Sequence, residues 1–158
     1  MQIQSLCYGP AFHEPALSFA TKLAAAPQAA WLALIDDQPA AYLITLPMQT
    51  DDSAPQLPTL SDTAAQPVAT SPNWLYIHDM AVAAPYRGTG VGSLLFQQTI
   101  AYATARNITQ MALIAVQGSM RYWQGMGFAT DCQPAPHIAA KLRTFGEDAV
   151  FMTRHLIP

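Results

Sequence analysis

Charge is scarce in this chain: Asp, Glu, Lys and Arg together make up 11% of its 158 residues. Seven residues are basic and ten acidic, for a net charge of −3. So thin a basic complement excludes the broad phosphate-contacting footprint of a nucleic-acid binder, and is compatible with a cationic or neutral small substrate. Cysteine is nearly absent too. Cys7 and Cys132 form neither a disulfide framework nor a metal-ligand spacing. They read as two reduced thiols, which sets the expectation of a cytoplasmic protein. His13, His137 and His155 are scattered without ligand spacing, so no metal is expected. No apolar run reaches the ~18–20 residues that span a bilayer. The N-terminus lacks a basic region followed by an apolar core, so neither a signal peptide nor a membrane partner is expected. No internal repeat is present. What remains is a chain that is 51% hydrophobic, enough for one domain over residues 1–158 with a core of its own.

Taken in order, Met1 to Tyr8 alternates polar and apolar residues and predicts a short strand. His13 to Ala26 carries Leu17, Ala20, Leu23 and Ala24 at helical spacing, with Pro15 in the first turn and Pro27 as the stop. Ala30 to Ile35 and Ala40 to Leu46 are apolar runs joined by Asp36-Asp37-Gln38-Pro39, a hairpin by turn chemistry. Their continuous apolar character predicts strands covered on both faces. Residues 49–72 are broken by Pro55, Pro58, Pro67 and Pro72 among polar residues. They predict a mobile surface loop, or a lid over an acceptor site. Asn73 to Val82 predicts a central strand and Gly90 to Arg106 a helix capped by Asn107. Met111 to Val116 is a second strand, parallel to the first across that helix. A short helix at Ser119–Gly125, strands at 126–133 and 148–156, and a helical turn at Ile138–Leu142 complete the chain.

The informative stretch is Leu75-Tyr76-Ile77-His78-Asp79-Met80-Ala81-Val82, followed by Arg87-Gly88-Thr89-Gly90-Val91-Gly92-Ser93. Strand, glycine turn and helix N-terminus together make an anion site, because glycine admits close backbone approach and the first helical amides lack partners. Arg87 adds a permanent cation suited to phosphate oxygens. A P-loop is excluded, since no Lys follows the glycines. The dinucleotide fingerprint fails at Ser93, and no Asp or Glu occurs between Gly92 and Thr130 to hold a ribose.

Arg-x-x-Gly-x-Gly, with Val82 five residues before Arg87, resembles the acetyl-CoA-binding motif of the Gcn5-related N-acetyltransferase family. Val82, Pro85, Arg87, Gly88, Gly90 and Gly92 stand where that pattern puts them. Tyr122-Trp123-Gln124-Gly125-Met126-Gly127-Phe128 resembles the family's second signature. The resemblance implies an α/β acyl-CoA N-acyltransferase fold, a mixed twisted sheet of six or seven strands with helices on both faces. It implies acetyl-CoA as co-substrate, with no metal. Its diphosphate would lie on the amides of Arg87, Gly88, Thr89, Gly90, Val91, Gly92 and Ser93. Its pantetheine would pair with Met80, Ala81 and Val82 where the central strand splays from Met111–Val116. The reaction implied is direct attack by a primary amine in a ternary complex. Two catalytic residues are expected. His78 is the candidate base, acting through a water relay, on one face with Tyr76, Met80 and Val82 by strand alternation; the alternative is a hydrogen-bonded, half-buried residue. The family's usual acid position holds Trp123, which has no usable proton. Tyr122 is the adjacent hydroxyl, turned about 100° away on a helix. The acceptor would be a small-molecule or peptide amine, and a homodimer is a further expectation. The alternative is a catalytically weak CoA-binding sensor or interaction module.

Overall fold

A computed structural model describes residues 2–50, 54–58 and 69–156. Among these residues six strands form one sheet: β1 (Ala30–Ile35), β2 (Gln38–Met48), β3 (Trp74–Val82), β4 (Gln110–Ala115), β5 (Ala129–Thr130) and β6 (Val150–His155), in the order β1-β2-β3-β4-β6-β5. Only β3 and β4 run parallel; the other pairs are antiparallel. On one face pack α3 (Val91–Ala105) and α4 (Met120–Gly125), burying Phe96, Trp123 and Phe128 against Leu75, Ile77 and Leu113. On the other lie α1 (Gln2–Cys7), α2 (Ala16–Ala25) and α5 (Pro136–Leu142).

Local chemistry accounts for the boundaries. The hairpin turns on Asp36 and Asp37, both left-handed at φ 49° and 61°, the conformation a two-residue turn demands and Asp tolerates. Asn107 ends α3 at φ 56°, and Ile108 N–H reaches back to Ala103 O at 3.0 Å to close the helix.

Several expectations give way. Residues 2–7 form a helix, not a strand: Ile3 and Cys7 share a face four residues apart and pack with Phe19, Tyr42 and Ala81. β1 is an edge strand covered on one face, leaving Leu32 and Leu34 59% and 55% exposed. The buried face of α2 is Ser18, Phe19 and Lys22, while Leu17 is 65% exposed. The expected strand at 126–133 is reduced to Ala129–Thr130. Beyond it Gln133 N–H turns back onto Asp131 Oδ1 at 2.9 Å. Of the loop expected at 49–72, residues 51–53 and 59–68 lie outside the described residues. Residues 54–58 are packed: Ala54 and Pro55 are buried, and Lys141 Nζ on α5 donates to Leu57 O at 3.1 Å. Asn73 joins the two ends of the insertion, its side chain accepting from Thr50 N–H and donating to Thr50 O.

Phe151, 1% exposed on β6, packs between Ala112 and Ile138 in the α5-side core. Truncating Phe151→Ala is expected to cost about 3–5 kcal/mol by lost burial and cavity formation, read as a lowered urea midpoint.

Candidate functional site

Strands β3 and β4 are hydrogen-bonded from Trp74–Gln110 to Ile77–Leu113 and then part. Beyond that point β3 continues beside β2 as far as Val82, and β4 beside β6 as far as Ala115. The main chain of Met80 and Val82 therefore faces a wedge instead of a strand. A cavity of about 660 Å³ opens there, running from Tyr8, Phe12 and Asp79 past Met80–Val82 to Gly88–Ser93 and Tyr122.

A β-bulge sets which side chains enter it. Ile44 pairs with Asp79 and Thr45 with Ile77, so His78 is an extra residue on β3. Strict alternation fails at this point. Met80 and Val82 pack with Val91 and Leu95 on the α3 face. Tyr76, His78, Asp79 and Ala81 belong to the opposite face. The expected grouping of His78 with Met80 and Val82 is corrected accordingly, and Asp79 joins His78.

At the glycine turn, Gly88 and Gly90 adopt φ 78° and 88°, which lets the chain enter α3 without side-chain strain. The first intrahelical bond runs from Leu94 N–H to Gly90 O at 3.1 Å. Among the described residues, no backbone carbonyl accepts from the amides of Gly88, Gly90, Val91, Gly92 or Ser93. The other two predicted amides are used internally: Arg87 N–H donates to Ala84 O and Thr89 N–H to Tyr86 O. The Arg87 guanidinium turns back as well, donating from Nε to Val82 O at 3.1 Å and approaching Cys7 Sγ at 3.6 Å. Its role in this arrangement is to clamp the turn to the end of β3.

Gly92 could not carry a side chain without rearrangement. A Cβ there would lie 2.8 Å from both Met80 Cε and Tyr122 Oη. Tyr122 thus brings its hydroxyl to the first turn of α3, against the direction expected from helical rotation, and stays 42% exposed. Trp123 takes the buried side of α4, packing edge-on to Phe96 and Phe128. Burial raises the Tyr122 pKa above the ordinary phenol value, so the hydroxyl stays protonated at neutral pH.

His78 lines the cavity, but its side chain is 2% exposed and its Nε2 is bound to Glu14 Oε1. Nδ1 is buried and meets no hydrogen-bond partner among the described residues. The bond makes His78 a tie between the bulge and the segment before α2. Glu14 is the hub of that tie. Its Oε2 accepts from Lys22 Nζ at 3.0 Å and Ser18 Oγ at 3.2 Å, and its amide donates to Gln4 Oε1 at 3.2 Å. Burial pushes the Glu14 carboxyl up, but the bond and charge of His78, then Lys22, outweigh it and hold the carboxyl below its ordinary range. Sequence reasoning missed this cluster. The available signal was Ser18 and Lys22, four residues apart in an otherwise apolar helix.

Among the described residues no helix is long and apolar enough to cross a membrane, and no cluster of His, Cys, Asp or Glu is placed to hold a metal.

The profile of the acetyltransferase (GNAT) family matches residues 1–128. No curated protein matches the chain. Among solved structures it is similar to the loading GNATL domain of CurA from Lyngbya majuscula: TM-score 0.71, 11% identity, over 98% of this chain and 89% of that one. It is also similar to the GphF GNAT-like decarboxylase in complex with isobutyryl-CoA: TM-score 0.70, 13% identity, over 99% and 92%. A third is Naa50 from Arabidopsis thaliana in complex with the bisubstrate analogue CoA-Ac-MVNAL: TM-score 0.62, 16% identity, over 91% and 83%. At these identities the likeness is one of fold.

Removing the Glu14 charge leaves a buried ammonium uncompensated, so Glu14→Gln is expected to destabilise by about 3–5 kcal/mol. Because the folded carboxyl titrates below the unfolded one, its contribution is full above the unfolded value of about 4.3. It disappears as pH falls through the lowered folded value. Chemical denaturation across that acid window should show a steep loss for the parent and a flatter one for Glu14→Gln.

Proposed function

Because the chain belongs to the acetyltransferase (GNAT) family, we propose that it transfers the acetyl group of acetyl-CoA to a primary amine, on a small molecule or a peptide. One observation carries this reading. Among the described residues, five main-chain amides in the glycine turn and first turn of a fifteen-residue helix meet no backbone acceptor, at the mouth of a cavity that runs along an unpaired strand edge. Amides at a helix N-terminus suit a diphosphate. An unpaired strand edge suits the amides of a pantetheine arm, as another strand would. The close packing of Gly92 against Met80 and Tyr122 keeps that approach free of a Cβ. Two of the similar structures carry CoA conjugates, which supports a CoA thioester in this cavity.

Acetyl-CoA would supply an activated acyl group on a thiol leaving group. The chain's own residues bind, orient and exchange protons around it. Val82 N–H, on the wedge side of β3, is the donor for the carbonyl oxygen as charge develops there. Tyr122 Oη holds a proton beside the α3 N-terminus and gives it to the departing thiolate. Free Cys7 and Cys132 suit a reducing, cytoplasmic setting.

Calorimetry with CoA, and thiol release from acetyl-CoA with a panel of amines, test the reading. CoA binding together with amine-dependent thiol release is the expected result. Absence of CoA binding sinks it, and binding without release from any amine leaves a CoA-binding module. Gly90→Ala forces a side chain into a left-handed position at a cost of about 1–2 kcal/mol; it should weaken CoA affinity. Tyr122→Phe should lower kcat by about 100-fold, the low end of positioned acid catalysis, and leave CoA affinity unchanged.

A further inference from the structure

The sheet ends differently at its two edges. On one side β5 is two residues long, and just beyond it Gln133 N–H turns back onto Asp131. So short an edge gives a neighbouring strand little to pair with. On the other side β1 runs for six residues, Ala30-Trp31-Leu32-Ala33-Leu34-Ile35, with no charged residue and no proline among them. Lysine, proline, a bulge or a very short strand are the usual protections of an exposed edge. β1 carries none of these; the extra residue of the β1–β2 irregularity is Ala40, on the inner strand. Among the described residues β1 pairs with β2 alone, and no backbone group outside the sheet bonds to residues 30–35.

The side chains of β1 alternate. Trp31 and Ala33 turn to the α3 side, where they pack with Val91 and Leu95, and Trp31 stands edge-on to Tyr102. Leu32 and Leu34 turn to the opposite side and stay more than half exposed. The strand also has opposite charges at its two ends. Asp36 and Asp37 follow its last residue, both exposed in the hairpin turn. Near its first residue lies Arg106, the exposed C-cap of α3. Its Nη2 donates to Gln28 Oε1 at 2.6 Å, and its guanidinium carbon is 3.9 Å from the centre of the Tyr102 ring.

We propose that β1 pairs with β1 of a second copy of this chain, antiparallel about a two-fold axis at Ala33. An uncharged strand with acids at one end and a cation at the other is complementary to itself when reversed. Residues opposite one another across an antiparallel pair share a face. Leu32 of each copy then meets Leu34 of the second copy, and Trp31 meets Ile35. Four leucines gather on one face, with the smallest side chain on the axis. In the same register Asp36 falls opposite Ala30 and Asp37 opposite Ala29, next to Gln28 and the guanidinium it holds. Each end of the joint sheet therefore brings two carboxylates to one Arg106. A slip by one residue would set the leucine face of one copy against the α3 face of the other. The contact is the same patch on both copies, as a closed pair requires. A strand from a different protein would satisfy the backbone as well, but the matching charges at both ends are those of this chain. The cavity lies between β3 and β4, two strands in from β1. The pairing leaves it open, and stands whether or not the acetyl-transfer reading does.

Sedimentation velocity of the full chain at rising concentration, up to about 100 μM, tests the pairing. The variants are Leu34→Lys, Arg106→Glu, the pair Asp36→Asn with Asp37→Asn, and Arg106→Glu combined with that pair. Asn keeps the left-handed turn and removes the charge. The expected result is a concentration-dependent dimer in the parent, with its dissociation constant raised at least about 10-fold by Leu34→Lys, which places a charge on the edge. Arg106→Glu should raise it about 10-fold in the parent and less than about 2-fold once both aspartates are Asn, since only contacting groups couple in this way. Circular dichroism should show every variant folded as the parent is. A parent that stays monomeric throughout overturns the pairing. So does a dimer that Leu34→Lys leaves unchanged, which assigns the contact to another surface. An Arg106→Glu effect of equal size in both backgrounds overturns the register. If Leu34→Lys does not fold, the cycle between Arg106 and the two aspartates carries the test.

Discussion

Two strands that pair for four residues and then separate leave main-chain donors and acceptors with nothing opposite them. Buried backbone groups are costly to leave unmet, and the molecule answers on each side of the wedge differently. The carbonyls of β3 are served from within: Tyr8 donates to Met80 O, and Cys7 and Arg87 to Val82 O. Among the described residues the amides of Gly88, Gly90, Val91, Gly92 and Ser93 meet no backbone carbonyl, and four of these residues line the cavity. That asymmetry turns a break in a sheet into a place for a ligand rich in acceptors.

The bulge that accompanies the break has its own supports. An extra residue at His78 points a polar ring toward the core face, where Glu14, Lys22, Ser18 and Gln4 are gathered. The cluster explains why α2 shows its polar side to the sheet and its leucines to solvent. Its net effect is to tie the segment before α2 to the strand that shapes the cavity. Burying a Lys and a Glu together contributes little net stability, so the arrangement is better understood as fixing the position of α1 and α2. Tyr8, at the end of α1, then sits at the wedge with its hydroxyl on Met80 O.

The glycine turn, the hairpin and the β3–α3–β4 crossover were legible because each depends on local rules. Left-handed positions call for Gly, Asn or Asp, and Gly88, Gly90, Asn107, Asp36 and Asp37 all hold them. Trp123 and Tyr122 show where local rules stop. Both stand on one turn of helix, and only contact with Phe96 and Phe128 on one side and Gly92 on the other decides which ring is buried. The short segment 2–7 was ambiguous for a related reason. Six residues with apolar positions at Ile3, Leu6 and Cys7 fit a strand or a helix, and packing of Ile3 and Cys7 with Tyr42 and Ala81 selects the helix.

The order of residues alone therefore determined the family, the strand–turn–helix unit and the place where backbone amides gather, because glycine conformations and helix ends are properties of a few neighbouring residues. The tertiary structure decided which residues line the cavity and which are held in the buried cluster behind it. A single unpaired residue on β3 reverses every side chain after it, and that residue is visible only once β2 lies beside it.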